Sequence, residues 1–339
     1  MIARLRRLLV AACLAAGLVI VPVAPAAACA CGGVAPVPGS EVSVGREHAI
    51  VSWRDGVEQL DVLLGMLSDG TETGLVFPTP SPATVSLGDL ADFEAIDRVT
   101  TPHRVEVPDW WTAPGDGSAG GAPPEVLDRV QLGPIEAVTL AASDTAGLEA
   151  WLAGNSYDLA PEVSALLDGY VSRGWFFVAL KLTGDAPLDG DLDPIRFRFP
   201  TDELVYPLEL SRAAASPQTV RLHVFGDHRQ RVSFVGGSEP ASAYVSWAAP
   251  VAGTEVERFG RYLTVFELYF ADPSTQILGD LTFEDALSDA TTGTEYYVSV
   301  PLGFFGIPVG WLLVGVVVLV LFAVVAGLAV VGRGATARR

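Results

Sequence analysis

Cysteine is scarce in this sequence, and the positions of the few cysteines exclude a core held by disulfides. The 339 residues include three cysteines, Cys13, Cys29 and Cys31, all near the N-terminus. A secreted domain stabilised by disulfides needs several paired cysteines spread along the chain. The core of this protein must therefore depend on packing.

Cys29 and Cys31 are predicted lipidation or redox residues. Cleavage of a signal peptide after Ala28 would make Cys29 the first residue, as in lipoproteins, although Ala26 stands where lipoproteins usually have Leu or Val. Cleavage after Ala30 would leave Cys31 alone. If both thiols remain, they could close a small strained disulfide, and strain makes such a bond easier to reduce.

Positive charge is also scarce. Acidic residues number 40 and all lie between Glu41 and Glu295, whereas six of the 21 basic residues lie in the terminal segments. The intervening chain therefore has 15 basic residues, including the single lysine Lys181, and a net charge of −25. A field of this sign repels polyanions. We expect no nucleic-acid partner, whereas cations and basic proteins stay compatible.

Motifs of the common enzyme classes are absent from the sequence. It has no Gly-x-Ser-x-Gly elbow, phosphate-binding loop, dinucleotide fingerprint or His-Glu-x-x-His pair. An enzyme with this sequence would need a site assembled from dispersed residues.

Long apolar runs are present, and they lie at both ends of the chain. Three arginines between residues 4 and 7 precede an uncharged run at 8–21 and the small residues Ala26–Ala28. This order is typical of a secretory signal peptide, predicted at 1–28.

The second apolar run, residues 304–331, has no charged side chain and exceeds the roughly 20 residues that cross a bilayer. Arg333, Arg338 and Arg339 follow it in a predicted basic tail at 332–339, and positive residues are retained on the cytoplasmic side. We expect a single-pass protein of the cell membrane with residues 29–300 outside the cytoplasm.

The pattern between these runs predicts an α+β fold rich in strands. Residues 48–53 and 58–67 are β-favouring runs that flank Arg54-Asp55-Gly56, and Asp-Gly at this place indicates a hairpin. Further strands are predicted at 74–77, 126–131, 134–141, 175–182, 195–199, 205–210, 219–225, 232–235 and 244–248, whereas 262–270 fits a helix or a strand.

Three short helices are predicted at 89–99, 145–153 and 161–172. Pro161 suits the first position of a helix, where its missing N–H costs nothing. Asn155, the only asparagine, can adopt the left-handed conformation that ends a helix. Residues 112–124 consist mainly of Gly, Pro, Ala and Asp, which predicts a flexible surface loop that could divide the domain into two lobes.

Several segments, in this order, carry a resemblance to a known family. They are ACACGG at 28–33, LEAWL at 148–152, FVALKL at 177–182, PIRFRF at 194–199 and YPLEL at 206–210. Over roughly residues 28–290 the chain resembles the bacterial family named domain of unknown function 2330. The resemblance implies a secreted or membrane-tethered bacterial protein of undefined activity, and it identifies no catalytic residue.

The candidate metal ligands are Asp189, Asp191 and Asp193. Carboxylates at alternating positions begin a calcium loop, because Ca²⁺ prefers several converging oxygens. Pro194 and Pro200 occupy the places where an EF-hand needs glycine and glutamate, so we expect either a looser Ca²⁺ site or a solvated acidic turn.

Trp110 and Trp111, between Pro108 and Pro114, are the candidate ligand-binding aromatics. An exposed indole at this place could stack on a sugar, on an aromatic ligand or at a membrane interface, whereas a buried pair would cap the core.

The sequence thus predicts a membrane-anchored envelope protein whose ectodomain binds a partner or has a structural role without catalysis and without a cofactor. The alternative is an envelope enzyme, either a hydrolase or a thiol–disulfide protein. A cleft that brings together His223, Asp227 and His228 would favour the hydrolase.

Overall fold

The computed structural model describes residues 32–112, 129–130, 136–140, 145–157 and 159–336. The predicted signal peptide, Cys29, Cys31 and most of the segment 112–124 lie outside the described residues. The predictions made for them stay predictions.

Most of the described elements are strands. They are β1 (Gly33–Pro36), β2 (Val42–Arg54), β3 (Val57–Ser68), β4 (Glu72–Thr79), β5 (Thr84–Leu87), β6 (His103–Asp109), β7 (Arg129–Val130), β8 (Glu136–Leu140), β9 (Phe176–Thr183), β10 (Gly190–Leu192), β11 (Ile195–Pro200), β12 (Val205–Tyr206), β13 (Gln218–Gly226), β14 (Gln230–Phe234), β15 (Tyr244–Pro250), β16 (Tyr262–Phe270), β17 (Leu281–Asp285), β18 (Glu295–Pro301), β19 (Gly303–Phe304) and β20 (Ile307–Pro308).

The described helices are few, and four of them are short. They are α1 (Leu90–Thr100), α2 (Thr145–Gly154), α3 (Pro161–Ser172), α4 (Pro273–Gln276) and α5 (Val309–Thr336). A 3₁₀ turn spans Glu209–Ala213. The strand-rich α+β prediction is confirmed.

A nine-stranded sheet, here called the central sheet, is the largest element of the fold. Its main order is β15-β16-β13-β2-β3-β10-β7, and β11 pairs with both β3 and β5. The long β2–β3 hairpin turns at Asp55 and Gly56, which both have positive φ (54° and 78°). This geometry suits the tight hairpin turn that the Asp-Gly pair predicts.

The main hydrophobic core lies between the central sheet and a four-stranded sheet of order β1-β4-β9-β8. Alternate residues of each strand enter this core because successive side chains point to opposite faces. Phe77 of β4 stacks on Phe197 of β11 with 4.0 Å between the ring centroids, so the two sheets are in direct contact. A three-stranded sheet, β12-β17-β14, closes the same core with residues such as Phe234 and Phe283.

Two smaller apolar clusters cover the outer faces of the sheets. Helices α2 and α3 pack on the four-stranded sheet through Leu148, Leu152 and Leu167. On the central sheet, α1 packs through Phe93 and Ile96 beside the segment 251–259. Helices therefore cover both outer sides of the paired sheets.

Strands from before and after residues 112–124 pair within the same sheets. β4 pairs with β9 along its whole length, and β2 pairs in parallel with β13. Both sheets are therefore continuous across this segment of the sequence.

Helix α5 contains the one described segment that is long and apolar enough to cross a membrane. Residues Val309–Leu328 form 20 residues of mean hydropathy 3.0, and 6% of them are buried. The helix begins at Val309, whereas the apolar run begins at 304, because the β19–β20 hairpin turns through Phe305 and Gly306 at positive φ.

Candidate functional site

A cluster of arginines lies at one end of the outer face of the central sheet. In β11 the buried residues Ile195, Phe197 and Phe199 alternate with Arg196 and Arg198. Both arginines therefore point away from the main core.

The strand register places polar partners beside these two arginines. Arg196 lies opposite Asp61 of β3, and Arg198 lies opposite Gln59. Gln59 in turn lies opposite Ser52 of β2. Pairing of β2, β3 and β11 thus forms a polar patch at this end of the sheet.

Two carboxylates hold Arg196 and Arg258 in fixed positions. Asp61 is fully buried and accepts from Nε and Nη2 of Arg196 at 2.6 and 2.9 Å. Asp92, in the first turn of α1, accepts from Nη2 of Arg196 at 2.9 Å and from Arg258. The hydrogen bond to Asp61 raises the pKa of Arg196, despite the opposing effect of burial. Bidentate pairs of this kind fix both the position and the plane of a guanidinium.

Arg54 and Arg198 differ from these two. Both are exposed, and within the described part of the chain no carboxylate lies within ion-pair distance of either guanidinium. Together with Arg196 and Arg258 they border a cleft of about 250 Å³, which we call the arginine cleft. The described lining contains these four guanidiniums and one carboxylate, that of Asp92, so positive charge is in excess there.

The composition of the arginine cleft suits recognition of an anion. A guanidinium presents paired N–H donors that match a carboxylate, phosphate or sulfate group, and it stays protonated at all physiological pH values. The other polar groups in the lining are Ser52, Gln59 and Asp92, and Asp92 is already bound by two arginines. The described lining contains no histidine, cysteine or free carboxylate to act as a base.

A larger cleft of about 420 Å³ lies beside β10 and includes Arg46 and Asp189. Its only guanidinium, that of Arg46, is bound by Asp191 through three contacts of 2.8 to 3.1 Å. The described lining of this cleft therefore offers no unpaired guanidinium for an anionic ligand.

The three candidate calcium ligands lie on and beside a strand. Gly190–Leu192 forms β10, which pairs with β3, and the Asp191 carboxylate is occupied by Arg46. Among the described residues no group of three His, Cys, Asp or Glu side chains is arranged to hold a metal ion. The structure does not gather Asp189, Asp191 and Asp193 around one point, and calcium binding stays a prediction.

The histidines that flank Asp227 do not line a common cleft. His223 is buried, and its Nδ1 lies 3.2 Å from the carbonyl oxygen of Ala49. Burial, with Arg221 and His48 nearby, lowers the pKa of His223 well below its usual value. His228 is exposed and pairs with Asp289 at 2.9 Å.

Trp110 and Trp111 follow β6 and are exposed by 44% and 60%. They lie beside the start of α5, where the backbone N–H of Gly310 donates to the carbonyl oxygen of Trp110 at 2.7 Å. The sequence leaves open whether the two indoles are exposed or cap the core, and the structure has both exposed. Their position against an apolar helix 200 residues later is a property of the fold.

The residues of the arginine cleft were not among the sequence candidates. The alternation of Arg196 and Arg198 with apolar residues was a usable signal, because it places both on one face of a strand. Arg54 and Arg258 lie far away in sequence, and no local pattern connects them to this strand.

The comparisons with known proteins identify a family. A model of the family described as uncharacterized protein conserved in bacteria, DUF2330, matches residues 25–284. None of the curated proteins that were compared matches the chain. The crystal structure of baculovirus P35 is similar over 71% of this chain and 94% of that chain, with 8% sequence identity and a TM-score of 0.35, which supports no argument about fold or function. Because the family model matches well over half of the sequence, this chain belongs to the DUF2330 family of uncharacterized proteins conserved in bacteria.

Proposed function

We propose that this protein is a single-pass membrane protein of the bacterial cell envelope whose noncatalytic ectodomain binds an anionic ligand in the arginine cleft. The observation that carries the proposal is the pair Arg54 and Arg198, two guanidiniums without a carboxylate partner in the described chain. They stand beside two further arginines that Asp61 and Asp92 hold in place.

The charge of the surroundings supports a small ligand. Four of the 15 basic residues between positions 41 and 295 border one cleft, although the same segment has a net charge of −25. A polyanion would be repelled by the acidic surface around the cleft, whereas a single carboxylate, phosphate or sulfate group meets mainly the local arginines.

The location rests on the apolar ends of the chain. Helix α5 suits a membrane span, the N-terminal run suits a signal peptide, and arginines follow the span. This order supports an ectodomain outside the cytoplasm and a tail inside it.

The test is anion binding by the full chain in detergent micelles. Inorganic phosphate, sulfate and citrate are titrated separately, and the thermal unfolding midpoint is followed. A ligand that binds only the folded state raises this midpoint with concentration. We expect at least one of the three anions to do so, and the effect to weaken as NaCl is added.

Variants separate the arginine cleft from the general charge of the protein. The double variant Arg54→Gln/Arg198→Gln should lose the anion-dependent shift. A matched control, Arg212→Gln/Arg231→Gln, removes the same amount of charge at two arginines outside the cleft. This control should keep the anion-dependent shift. Equal shifts in both variants, or no shift in the wild-type protein with any of the three anions, would refute anion binding in the cleft.

A further inference from the structure

Aromatic side chains gather where α5 begins. Trp110, Trp111, Phe304, Phe305 and Trp311, here called the aromatic collar, are between 44% and 93% exposed. Large apolar side chains that remain this exposed in one place mark a contact surface.

The two tryptophans of the collar that come from the ectodomain are held firmly at the helix. β6 and β18 pair in parallel, which places Asp109 beside Pro301 at the entry to α5. The backbone N–H of Leu302 donates to the carbonyl oxygen of Asp109 at 2.8 Å, and the backbone N–H of Gly310 donates to the carbonyl oxygen of Trp110 at 2.7 Å. The Asp109 carboxylate accepts from the backbone of Trp111 at 2.9 Å, which fixes the turn.

Close packing joins the tryptophan pair to the helix. The ring of Trp111 meets that of Trp311 edge to face with 6.0 Å between the centroids. A Cβ at Gly310 would lie 2.6 Å from both the Trp110 carbonyl oxygen and the Trp111 ring. The glycine is therefore needed for this contact.

Below the contact an apolar groove runs along the helix. Its volume is about 300 Å³, and Trp110, Trp111, Leu313, Val314, Val317 and Val318 line it. At 1.5 Å per residue, Val317 lies about 12 Å along the axis from the first residue of α5. The 20 apolar residues from Val309 to Leu328 span about 30 Å, the thickness of a bilayer's hydrocarbon core. The upper end of the groove, where Trp110 and Trp111 meet Gly310, then lies at the headgroup boundary, and its lower end reaches most of the way through the acyl region of one leaflet.

We infer that Trp110 and Trp111 insert into the membrane interface beside α5, with lipid acyl chains in the groove, and give the ectodomain a second attachment to the bilayer. The inference rests on the membrane anchoring by α5 that is part of the proposed function. Tryptophan is favoured at this depth because its ring is apolar and its N–H can meet the headgroups. A sugar would need polar partners, which the described lining of this groove does not provide, whereas an acyl chain needs none.

A second attachment to the bilayer would restrict motions of the ectodomain that a single span allows. A single helix allows the ectodomain to tilt and rotate, but a loop inserted beside it fixes both. The arginine cleft would then keep a constant orientation relative to the membrane.

Quenching of tryptophan fluorescence by lipid tests the inference. The full chain is reconstituted in phosphatidylcholine vesicles with and without brominated acyl chains, and bromine quenches indoles at membrane depth. Three of the seven tryptophans belong to the collar. We expect Trp110→Phe/Trp111→Phe to lower the quenchable fluorescence roughly threefold, because two of three membrane-level indoles are removed. The matched control Trp53→Phe removes an exposed indole that donates to Thr201 on the ectodomain, and it should leave the quenchable fluorescence unchanged.

A pair of glycine variants keeps all tryptophans in place. Gly310→Val should displace the tryptophan pair and lower the quenching, whereas Gly315→Val, on the same helix with open space around its Cβ position, should not. Carbonate extraction of the same membranes shows whether the chain is anchored. If the anchored protein shows equal quenching in the wild type and in Trp110→Phe/Trp111→Phe, the insertion is refuted; extraction of all variants would instead refute the span.

Discussion

Asp61 is the residue on which the arginine cleft depends. It is the fully buried partner of Arg196. Loss of one partner leaves the other as a poorly solvated charge, which costs more than the pair contributes.

Asp61→Asn should therefore lower the free energy of unfolding by about 2–4 kcal/mol, because the partly buried Arg196 loses its bidentate counter-ion and keeps only one contact to Asp92, which Arg258 shares. Asp191→Asn is a matched control on the same sheet, since the Arg46–Asp191 pair is also bidentate but more exposed. We expect this control to lower the free energy of unfolding by about 1 kcal/mol. Denaturant titration of the full chain in micelles, followed by tryptophan fluorescence, measures both. An equal cost for the two variants would contradict the role given to Asp61.

His223 makes stability depend on pH. Its folded pKa lies well below 6.5 because it is buried near Arg221, and burial also lowers the pKa of His48 to about 4. Below pH 6.5 the unfolded chain binds protons that the folded chain does not, so stability declines as the pH falls towards 4.

His223→Gln removes one of these protonation sites. The slope of unfolding free energy against pH should become shallower by about 1.4 kcal/mol per pH unit between pH 6.5 and 4. Glu58, Asp97, Glu267 and Asp280 have raised pKa values and act in the opposite direction, but they are common to both proteins. Unfolding curves at a series of pH values provide the slope, and parallel pH profiles would count against this assignment.

At the scale of elements, local patterns predicted more than the pairing of distant segments. The hairpin at Asp55-Gly56 and the helix that begins at Pro161 are both present, because a tight turn and a helix start depend on a few neighbouring residues. The ambiguous run 262–270 is strand β16, whose place between β13 and β15 settles its conformation.

Other local predictions were wrong. Ser156, rather than Asn155, adopts positive φ, while the Asn155 side chain donates to the carbonyl oxygen of Trp151 at 2.9 Å. The predicted strand 205–210 shortens to Val205–Tyr206, because Asp280 accepts from the N–H groups of Leu208 and Glu209 and a 3₁₀ turn follows.

The parallel pairing of β6 with β18 is the clearest example of what local sequence could not indicate. The two strands lie almost 200 residues apart, and neither contains a buried residue that would fix its partner through the core. The arginine cleft has the same origin, since residues on β2, β11 and the 251–260 segment meet only after the sheet has formed.

The first turn of α1 affects both the stability of this helix and the position of a residue that lines the arginine cleft. The Asp89 carboxylate accepts from the N–H of Ala91 at 2.9 Å as N-cap, and the same first turn positions Asp92. Asp89→Ala should cost about 1 kcal/mol of unfolding free energy, because a helix donor loses its partner. Asp89→Asn keeps an acceptor oxygen and should cost less. Thermal unfolding of both variants measures the two losses of unfolding free energy. Equal losses would indicate that the charge of Asp89 stabilises the helix and that its capping hydrogen bond does not.

For the whole molecule, the described fold separates three surfaces. Acidic residues spread along positions 41–295 favour solubility, four of the 15 basic residues of this segment border the arginine cleft, and exposed aromatic residues gather at the start of α5. A soluble protein would expose its surface in all directions, whereas a tethered one has a side that faces the membrane. The aromatic collar supplies such a side.

The orientation of the chain in the membrane can be tested directly because no cysteine occurs after Cys31. Arginines at 333, 338 and 339 should keep the C-terminus in the cytoplasm. A cysteine introduced as Ser288→Cys, at an exposed ectodomain position, should react with a membrane-impermeant maleimide on intact cells. Ala335→Cys should react only after the cells are permeabilised, and the unsubstituted chain gives the background from Cys29 and Cys31. The reverse pattern would place the acidic ectodomain, and with it the arginine cleft, inside the cell, where abundant cytoplasmic phosphate esters would become the relevant ligands to titrate.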